Sequence, residues 1–350
     1  MRWSIAGYGD IVTRRVLPAL HALGEEPVAL WGRDPRRAAR TAERYAVARS
    51  GGDPDVLLAD VDAVYVATPV VGHVPLAQAV LAAGLPVLIE KPLAGGLGTG
   101  GALDTAGPCA GVAYYRRLAP AVRRLRQELE GWTPERVEVR FRCAFAPGPY
   151  DPMRWRTDPA VSGGGVLADA GSHRIDLLLH LFGRPYEITA RLGGRFPRGA
   201  ERQAELALRW RSGLRAHCLV EWGDGPPVDR MRLTGGGRTV TLDPLDSGRV
   251  EGAAGSRVAG AAGSRVAGDA GSRVAGDAGS RVAGDAGSPA PLFLPPAANP
   301  HQPLLADFVA AVATGADPVC PVAEALLVDD VIVAAERSDA AGGRAVRPWG

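Results

Sequence analysis

Gly7-Tyr8-Gly9-Asp10-Ile11-Val12 stands between an apolar run, Arg2–Ala6, and a helical pattern, Asp10–Leu23. No other feature constrains the chain as strongly. Gly7 allows a tight strand-to-helix turn, and Gly9 lets a pyrophosphate approach backbone amides at a helix N-terminus, as a dinucleotide-binding βαβ unit requires. Val12 replaces the third glycine of that fingerprint, so the turn alone also fits a plain strand–helix junction. Asp10 favours the helix dipole yet sits awkwardly near a phosphate.

The alternation that follows decides between the two. Pro27–Trp31 reads as a strand, and Asp34–Tyr45 as a helix capped by Asp34 with Pro35 at its first position. Ala63–Ala67 is a buried strand, His73–Ala83 a helix ended by Gly84, and Pro86–Ile89 another strand. Such alternation predicts an α/β Rossmann domain with a doubly wound parallel sheet. The Gly-rich stretch Leu93–Gly107 is short for a full crossover helix.

Beyond Ala119-Pro120 the pattern changes. A basic helix, Ala121–Glu130, precedes strand candidates Arg136–Ala146, Glu187–Arg195, Gln203–Trp210, Leu214–Trp222, Val228–Leu233 and Arg238–Leu242. Their connections are too short for crossover helices, which predicts a large, mostly antiparallel open sheet. Helices near Gln302–Thr314 and Val322–Ser338 complete a C-terminal α+β domain. The expected division is therefore a dinucleotide-binding domain, 1–115, and a substrate-binding and oligomerisation domain, 116–350. Within the latter, GSRVAGAA at Gly255 is followed by GSRVAGDA at 263, 271 and 279. Each octad has one valine as its only large apolar side chain, so 252–290 reads as a flexible surface insertion from tandem duplication.

Composition narrows the function. A net charge of +2 gives no pull towards nucleic acid or an acidic membrane. Residues 63–89 lack Asp, Glu, Lys and Arg, but their prolines and glycines suit strand, helix and strand rather than a bilayer span. The four cysteines are far apart, with no CxxC spacing, which excludes a disulfide framework or zinc cluster. No apolar leader precedes the first turn, so a reducing cytoplasm is expected. Of 40 basic residues, 39 are arginine, and Lys91 is the one lysine. It is either a survivor of coding bias or a position that needs a primary amine.

Cofactor choice falls to the end of the second strand, where an acidic residue would bind the ribose hydroxyls of NAD. Here Gly32 leaves space and Arg33 offers a fork suited to a 2′-phosphate, so NADP(H) is favoured. NAD(H) stays open if Asp34 turns back to the ribose. In Gly165–Leu181, read as one helix, Asp169 and His173 are i,i+4 neighbours with Asp176 and His180 on the same side. A carboxylate beside an imidazole orients it and tunes it for acid–base work. Asp-x3-His lacks a convincing third ligand, so no metal site is expected.

Ala67-Thr68-Pro69 and Glu90-Lys91-Pro92 lie at carboxyl ends of strands, where open α/β sheets place ligands. With these, with Tyr114-Tyr115-Arg116-Arg117-Leu118-Ala119-Pro120, Trp155-Arg156, and Gly163-Gly164-Gly165 through Asp169, Gly171, His173 and Asp176, the chain resembles the glucose–fructose oxidoreductase and inositol dehydrogenase family, Gfo/Idh/MocA. The resemblance implies a catalytic group of Lys91, Asp169 and His173. Lys91 would bond the reacting oxygen, His173 would exchange the hydroxyl proton, and Asp169 would position substrate and imidazole. It places Thr68, Pro69 and His73 on the nicotinamide side, with Gly7, Tyr8, Gly9, Asp10, Ile11, Gly32, Arg33, Glu90 and Lys91 as the other cofactor contacts. Arg116, Trp155, Arg156 and Asp176 are the substrate-pocket candidates. The implied reaction is hydride transfer to or from a carbinol or ketone of a sugar, nucleotide sugar or cyclitol. A non-catalytic NADP-sensing regulator and an imine or enone reductase of secondary metabolism are the alternatives. The open sheet suggests a homodimer or homotetramer.

Overall fold

The computed structural model describes residues 1–252 and 290–349. The octad repeats, apart from the flanking Gly252 and Ala290, lie outside the described residues.

Short apolar runs separated by glycines build the first layer. Strands β1 (Arg2–Ala6), β2 (Glu26–Trp31), β3 (Arg49–Gly51), β4 (Ala63–Val66), β5 (Val87–Ile89) and β6 (Ala110–Val112) form a six-stranded parallel sheet in the order β3-β2-β1-β4-β5-β6. Alternate residues serve its two faces. Trp3, Ile5, Leu30, Tyr65 and Leu88 pack with helix α1 (Leu17–Ala22), while Ala6, Val64, Val66 and Ile89 pack with helix α3 (His73–Ala82). Helix α2 (Pro35–Arg44) starts as expected: Asp34 accepts the amides of Arg36 and Arg37, and Pro35 holds the first position. Strands β3 and β6 have no counterpart in the sequence reading. Arg-Ser-Gly and Ala-Gly-Val are too short to show a period of two, and both lie at sheet edges.

The second layer begins with helix α4 (Pro120–Glu130) and strand β7 (Arg136–Cys143), followed by helices α5 (Pro159–Ser162) and α6 (Ser172–Phe182). Strands β8 (Glu187–Gly193), β9 (Gln203–Arg209), β10 (Arg215–Trp222), β11 (Val228–Gly235), β12 (Arg238–Leu242), β13 (Arg249–Glu251) and β14 (Leu292–Phe293) join β7 in one sheet, ordered β14-β13-β12-β11-β7-β10-β9-β8. Strand β7 pairs with β10 in parallel while the other neighbours pair antiparallel, so the sheet is mostly antiparallel as expected. The reason for the parallel pair is the long connection through α6 that separates β7 from the β8–β9–β10 meander and lets it return as a crossover. Strict alternation along β9 buries Ala204, Leu206 and Leu208 on one face and leaves Glu205, Ala207 and Arg209 on the other.

Helix α7 (His301–Thr314) returns to the first sheet, where Phe308 meets Trp3 with ring centroids 5.7 Å apart. Helix α8 (Val322–Ala340) packs on α6 and β8 behind the second sheet. Among the described residues, no helix is long and apolar enough to cross a membrane.

Candidate active site

Adjacent parallel strands deliver three loops to one edge: Gly7 after β1, Thr68 after β4 and Lys91 after β5. Gly7 has φ of +122°, and a Cβ there would stand 2.5 Å from the Ala67 carbonyl oxygen, so only glycine permits this approach. Space above Gly9 is open, and the first helical bond runs from the Thr13 amide to Gly9 O, leaving the preceding helix-end amides without a partner among the described residues. A pyrophosphate fits that cradle. Val12 points into the core, which is why the missing third glycine does no harm. Asp10 is exposed and pairs with Arg14 at 3.7 Å, and Ile11 packs against the apolar cluster on the α1 side of the first sheet.

At the end of β2, the space over Gly32 is taken up. The Tyr8 ring lies there, so that a Cβ on Gly32 would come within 1.8 Å of Tyr8 Cε1. The Tyr8 hydroxyl accepts the Asp34 amide, and Arg37 stands 4.8 Å over its ring. Arg33 is exposed beside them.

The Lys91 loop is fixed from behind. The Asp329 carboxylate accepts the Ala94 and Gly95 amides, at 2.8 and 2.9 Å, and Gly96 N–H donates to Gly163 O at 2.7 Å. A Cβ on Gly95 would stand 2.6 Å from that Gly163 oxygen. The glycine-rich run after Lys91 and the Gly163–Gly165 run are therefore two halves of one close backbone contact. Glu201 accepts the amides of Gly165 and Leu167, which sets the entry of the next helix.

That helix departs from the sequence reading. Leu167–Gly171 is π-helical before α6 begins at Ser172, so Asp169 and His173 are not stacked as ordinary i,i+4 neighbours. The Asp169 carboxylate goes to two cations instead. Lys91 Nζ donates to Oδ1 at 3.0 Å and to the Asp169 carbonyl at 2.9 Å, and Arg156 Nη1 donates to Oδ2 at 2.9 Å. Burial works to raise this carboxyl, but Lys91 and Arg156 outweigh it and hold it below its usual range. Trp155 lies under the Arg156 guanidinium at 5.5 Å.

His173 is buried and meets Tyr115 and Tyr114 edge-on, at 5.1 and 5.8 Å, and its Nδ1 has no partner among the described residues. Burial first, then the charges of Arg116, Lys91 and Arg174, hold the imidazole well below its usual pKa, as a neutral ring. The Asp169 carboxylate is hydrogen-bonded to Lys91 and Arg156.

Three further residues stand elsewhere than the sequence suggests. Asp176 is fully buried and bound by Arg117 Nε and Nη2 at 2.9 and 2.6 Å, inside the core rather than in the cleft. The side carrying Asp169 does not continue to it once the π turn shifts the register. His73 is also buried. Its two nitrogens face Pro92 O at 2.9 Å and Thr68 O at 2.8 Å, so it braces two loops rather than lining the cleft. Glu90 turns inward and accepts from Tyr65 OH at 2.7 Å and His301 Nε2 at 3.2 Å. Thr68 keeps a buried hydroxyl with no partner among the described residues.

Arg116, an expected pocket residue, binds Asp246 through Nε at 2.8 Å. Residues that sequence reasoning missed complete the wall: Arg174, stacked 4.1 Å over Phe141, binds Asp229 at 2.6 Å. His301 arrives from α7. No local pattern marks these residues, since their partners lie on other elements. Arg174 alone had a signal, being adjacent to His173.

A model of the oxidoreductase family with an NAD-binding Rossmann fold matches residues 1–106, and one of the GFO/IDH/MocA C-terminal domain matches residues 122–240. The chain belongs to the Gfo/Idh/MocA oxidoreductase family. Among its Gfo/Idh/MocA relatives, the dTDP-3,4-didehydro-2,6-dideoxy-alpha-D-glucose 3-reductase of Streptomyces violaceoruber is 36% identical over 197 residues, covering 52% of this chain and 55% of that protein. The D-xylose 1-dehydrogenase (NADP(+)) 2 of Haloferax volcanii is 28% identical over 240 residues, 67% of this chain and 73% of that one. The matched region thus spans little more than half to about three quarters of these relatives. Two solved structures share the fold. An oxidoreductase domain protein from Kribbella flavida gives a TM-score of 0.81 at 22% identity over 99% of both chains. GenD2 from gentamicin A biosynthesis, bound to NAD, gives 0.76 at 24% identity over 99% of this chain and 96% of that one.

Proposed function

We propose that this Gfo/Idh/MocA protein is an NADP(H)-dependent oxidoreductase acting on a carbinol or ketone of a sugar, nucleotide sugar or cyclitol. The observation that carries the reading is the Lys91 ammonium held on Asp169, with the neutral His173 imidazole close enough to feel its charge. When bound, the nicotinamide supplies or takes up the hydride. Lys91 donates a hydrogen bond to the substrate oxygen and stabilises its alkoxide character. His173, unprotonated in the resting protein, accepts the hydroxyl proton in oxidation and returns it in ketone reduction. Asp169 positions Lys91 and Arg156. Trp155, Arg156 and Arg116 contribute to the polar pocket that a polyol needs.

Asp34 supports the NADP(H) preference. Its Oδ1 accepts both amides that cap α2, which turns the carboxylate towards the helix, and Arg33 is exposed at the surface. Thr68, whose buried hydroxyl lacks a partner among the described residues, and Pro69 stand on the nicotinamide side. Incubation with NADP⁺ or NADPH and a panel of polyols and ketosugars tests the reading through nicotinamide absorbance. Cofactor binding with no turnover on any of them counts against it.

The outer face of the second sheet carries Arg136, Arg215, Arg232, Glu138 and Glu205, a mixed pattern that a second copy can complement. A homodimer or homotetramer through this face follows, tested by light scattering. The four free cysteines suit a reducing cytoplasm.

A further inference from the structure

His301 opens α7, 211 residues beyond Glu90, yet it is 2% exposed and lies in the same buried group. Both outside donors to Glu90 use one oxygen. Tyr65 OH and His301 Nε2 converge on Oε1, which leaves Oε2 facing the Lys91 backbone amide at 3.3 Å. A carboxylate only accepts, so His301 Nε2 carries a proton, and its buried Nδ1 has no partner among the described residues. The His301 ring also lies 5.3 Å from the Tyr115 ring, the ring that meets His173. The start of α7 is itself tied down. Asn299 Oδ1 accepts the His301 amide, and Asn299 Nδ2 donates to Arg15 O beside the nucleotide turn.

We propose that His301 is a positioning residue for the Lys91 centre: its Nε2–H pins one Glu90 oxygen so that the other receives the Lys91 amide, which fixes the backbone from which the ammonium reaches Asp169. The inference rests on the reading of Lys91 as the amine beside the reacting oxygen. The titratable groups facing Glu90 are Tyr65 from β4, His73 from α3, its neighbour Lys91, Tyr115 after β6 and His301 from α7. Those facing His301 are Glu90, Tyr115 and His173. Burial works to raise the Glu90 carboxyl, and His301, Tyr65 and Lys91 together hold it below its usual range. Without His301, the largest of the lowering contributions is gone and Glu90 takes a proton at higher pH.

The test uses His301→Phe and His301→Gln in the full chain, with Lys91→Ala as reference. His301→Phe is expected to lower kcat about 10-fold through misplacement of the amine. The acid limb of its kcat/KM profile is expected to move to higher pH, with KM for the cofactor within about twofold. Because Lys91 is the only lysine, the rate of its reductive methylation, read by peptide mass, reports its anchoring without any turnover, and is expected to increase. His301→Gln keeps a donor to Glu90 and is expected to restore both readouts. Where His301→Phe does not fold, Tyr65→Phe removes the other Oε1 donor and is expected to move the limb in the same direction. An unmoved limb and an unchanged methylation rate, with Lys91→Ala inactive, overturn the proposal. If Lys91→Ala keeps its turnover, the reading of Lys91 has failed and this inference falls with it.

Discussion

Lys91 Nζ stands 3.0 Å from Asp169 Oδ1 and 2.9 Å from the Asp169 carbonyl, joining residues 78 apart across the two layers of the molecule. The ammonium uses two of its three donors there and keeps one for a ligand. Lys91→Arg places a planar fork on a longer stem where a compact amine is needed. The expected result is a fall in kcat of at least roughly 10²-fold with the protein still folded. Steady-state kinetics and circular dichroism of this variant check it, and near-normal turnover means the lone lysine is a compositional survivor.

His173 links activity to pH. Burial and the neighbouring cations keep its imidazole neutral well below its usual range. As a base it therefore stays competent below pH ~6.5, the ordinary titration point of histidine. Stability follows the sign of a depressed pKa. The unfolded chain binds the proton first, so the contribution of this group is complete above about pH 6.5 and is lost as pH falls towards the folded value. Urea midpoints between acid and neutral pH are expected to slope more steeply for the natural chain than for His173→Gln, which is also expected to lose roughly 10²–10⁴-fold in kcat.

Asp176 and Arg117 make a buried pair, 0% and 1% exposed at their side chains. Asp176→Asn removes the paired charge and one acceptor oxygen, leaving Glu324 and the Val319 carbonyl as the other partners of the guanidinium. The expected cost is about 3 kcal/mol of stability with KM for the substrate unchanged. Denaturant unfolding together with KM separates this from a pocket role, in which KM would rise and stability would hold.

Arg33 carries the cofactor preference in the proposed reading. Arg33→Ala is expected to weaken NADP⁺ binding about 10-fold, the loss of one charge-assisted contact, and to leave NAD⁺ binding within about twofold. Calorimetric titration with each nucleotide checks it. Equal losses for both would point to a general effect on the Tyr8–Gly32 corner.

Local physics made much of the molecule legible. The Gly7–Gly9 turn, the cap at Asp34, the helix stop at Gly84 and the period-two strands of the second sheet each rest on residues close in sequence. Three-residue edge strands carry too little pattern to be seen. The parallel pairing of β7 with β10 depends on a crossover path rather than on either strand.

The site divides in the same way. By itself, the sequence determined the alternating layers, the glycine turn at their carboxyl edge, and the single amine placed there. Only the tertiary structure decided which groups each acid meets: Asp169 with Lys91 and Arg156, Asp176 with Arg117, Glu90 with the hydroxyl of Tyr65 and the imidazole of His301. Buried ionic pairing follows from desolvation and distance once distant elements have packed, and one π-helical turn was enough to send Asp169 and Asp176 to different partners.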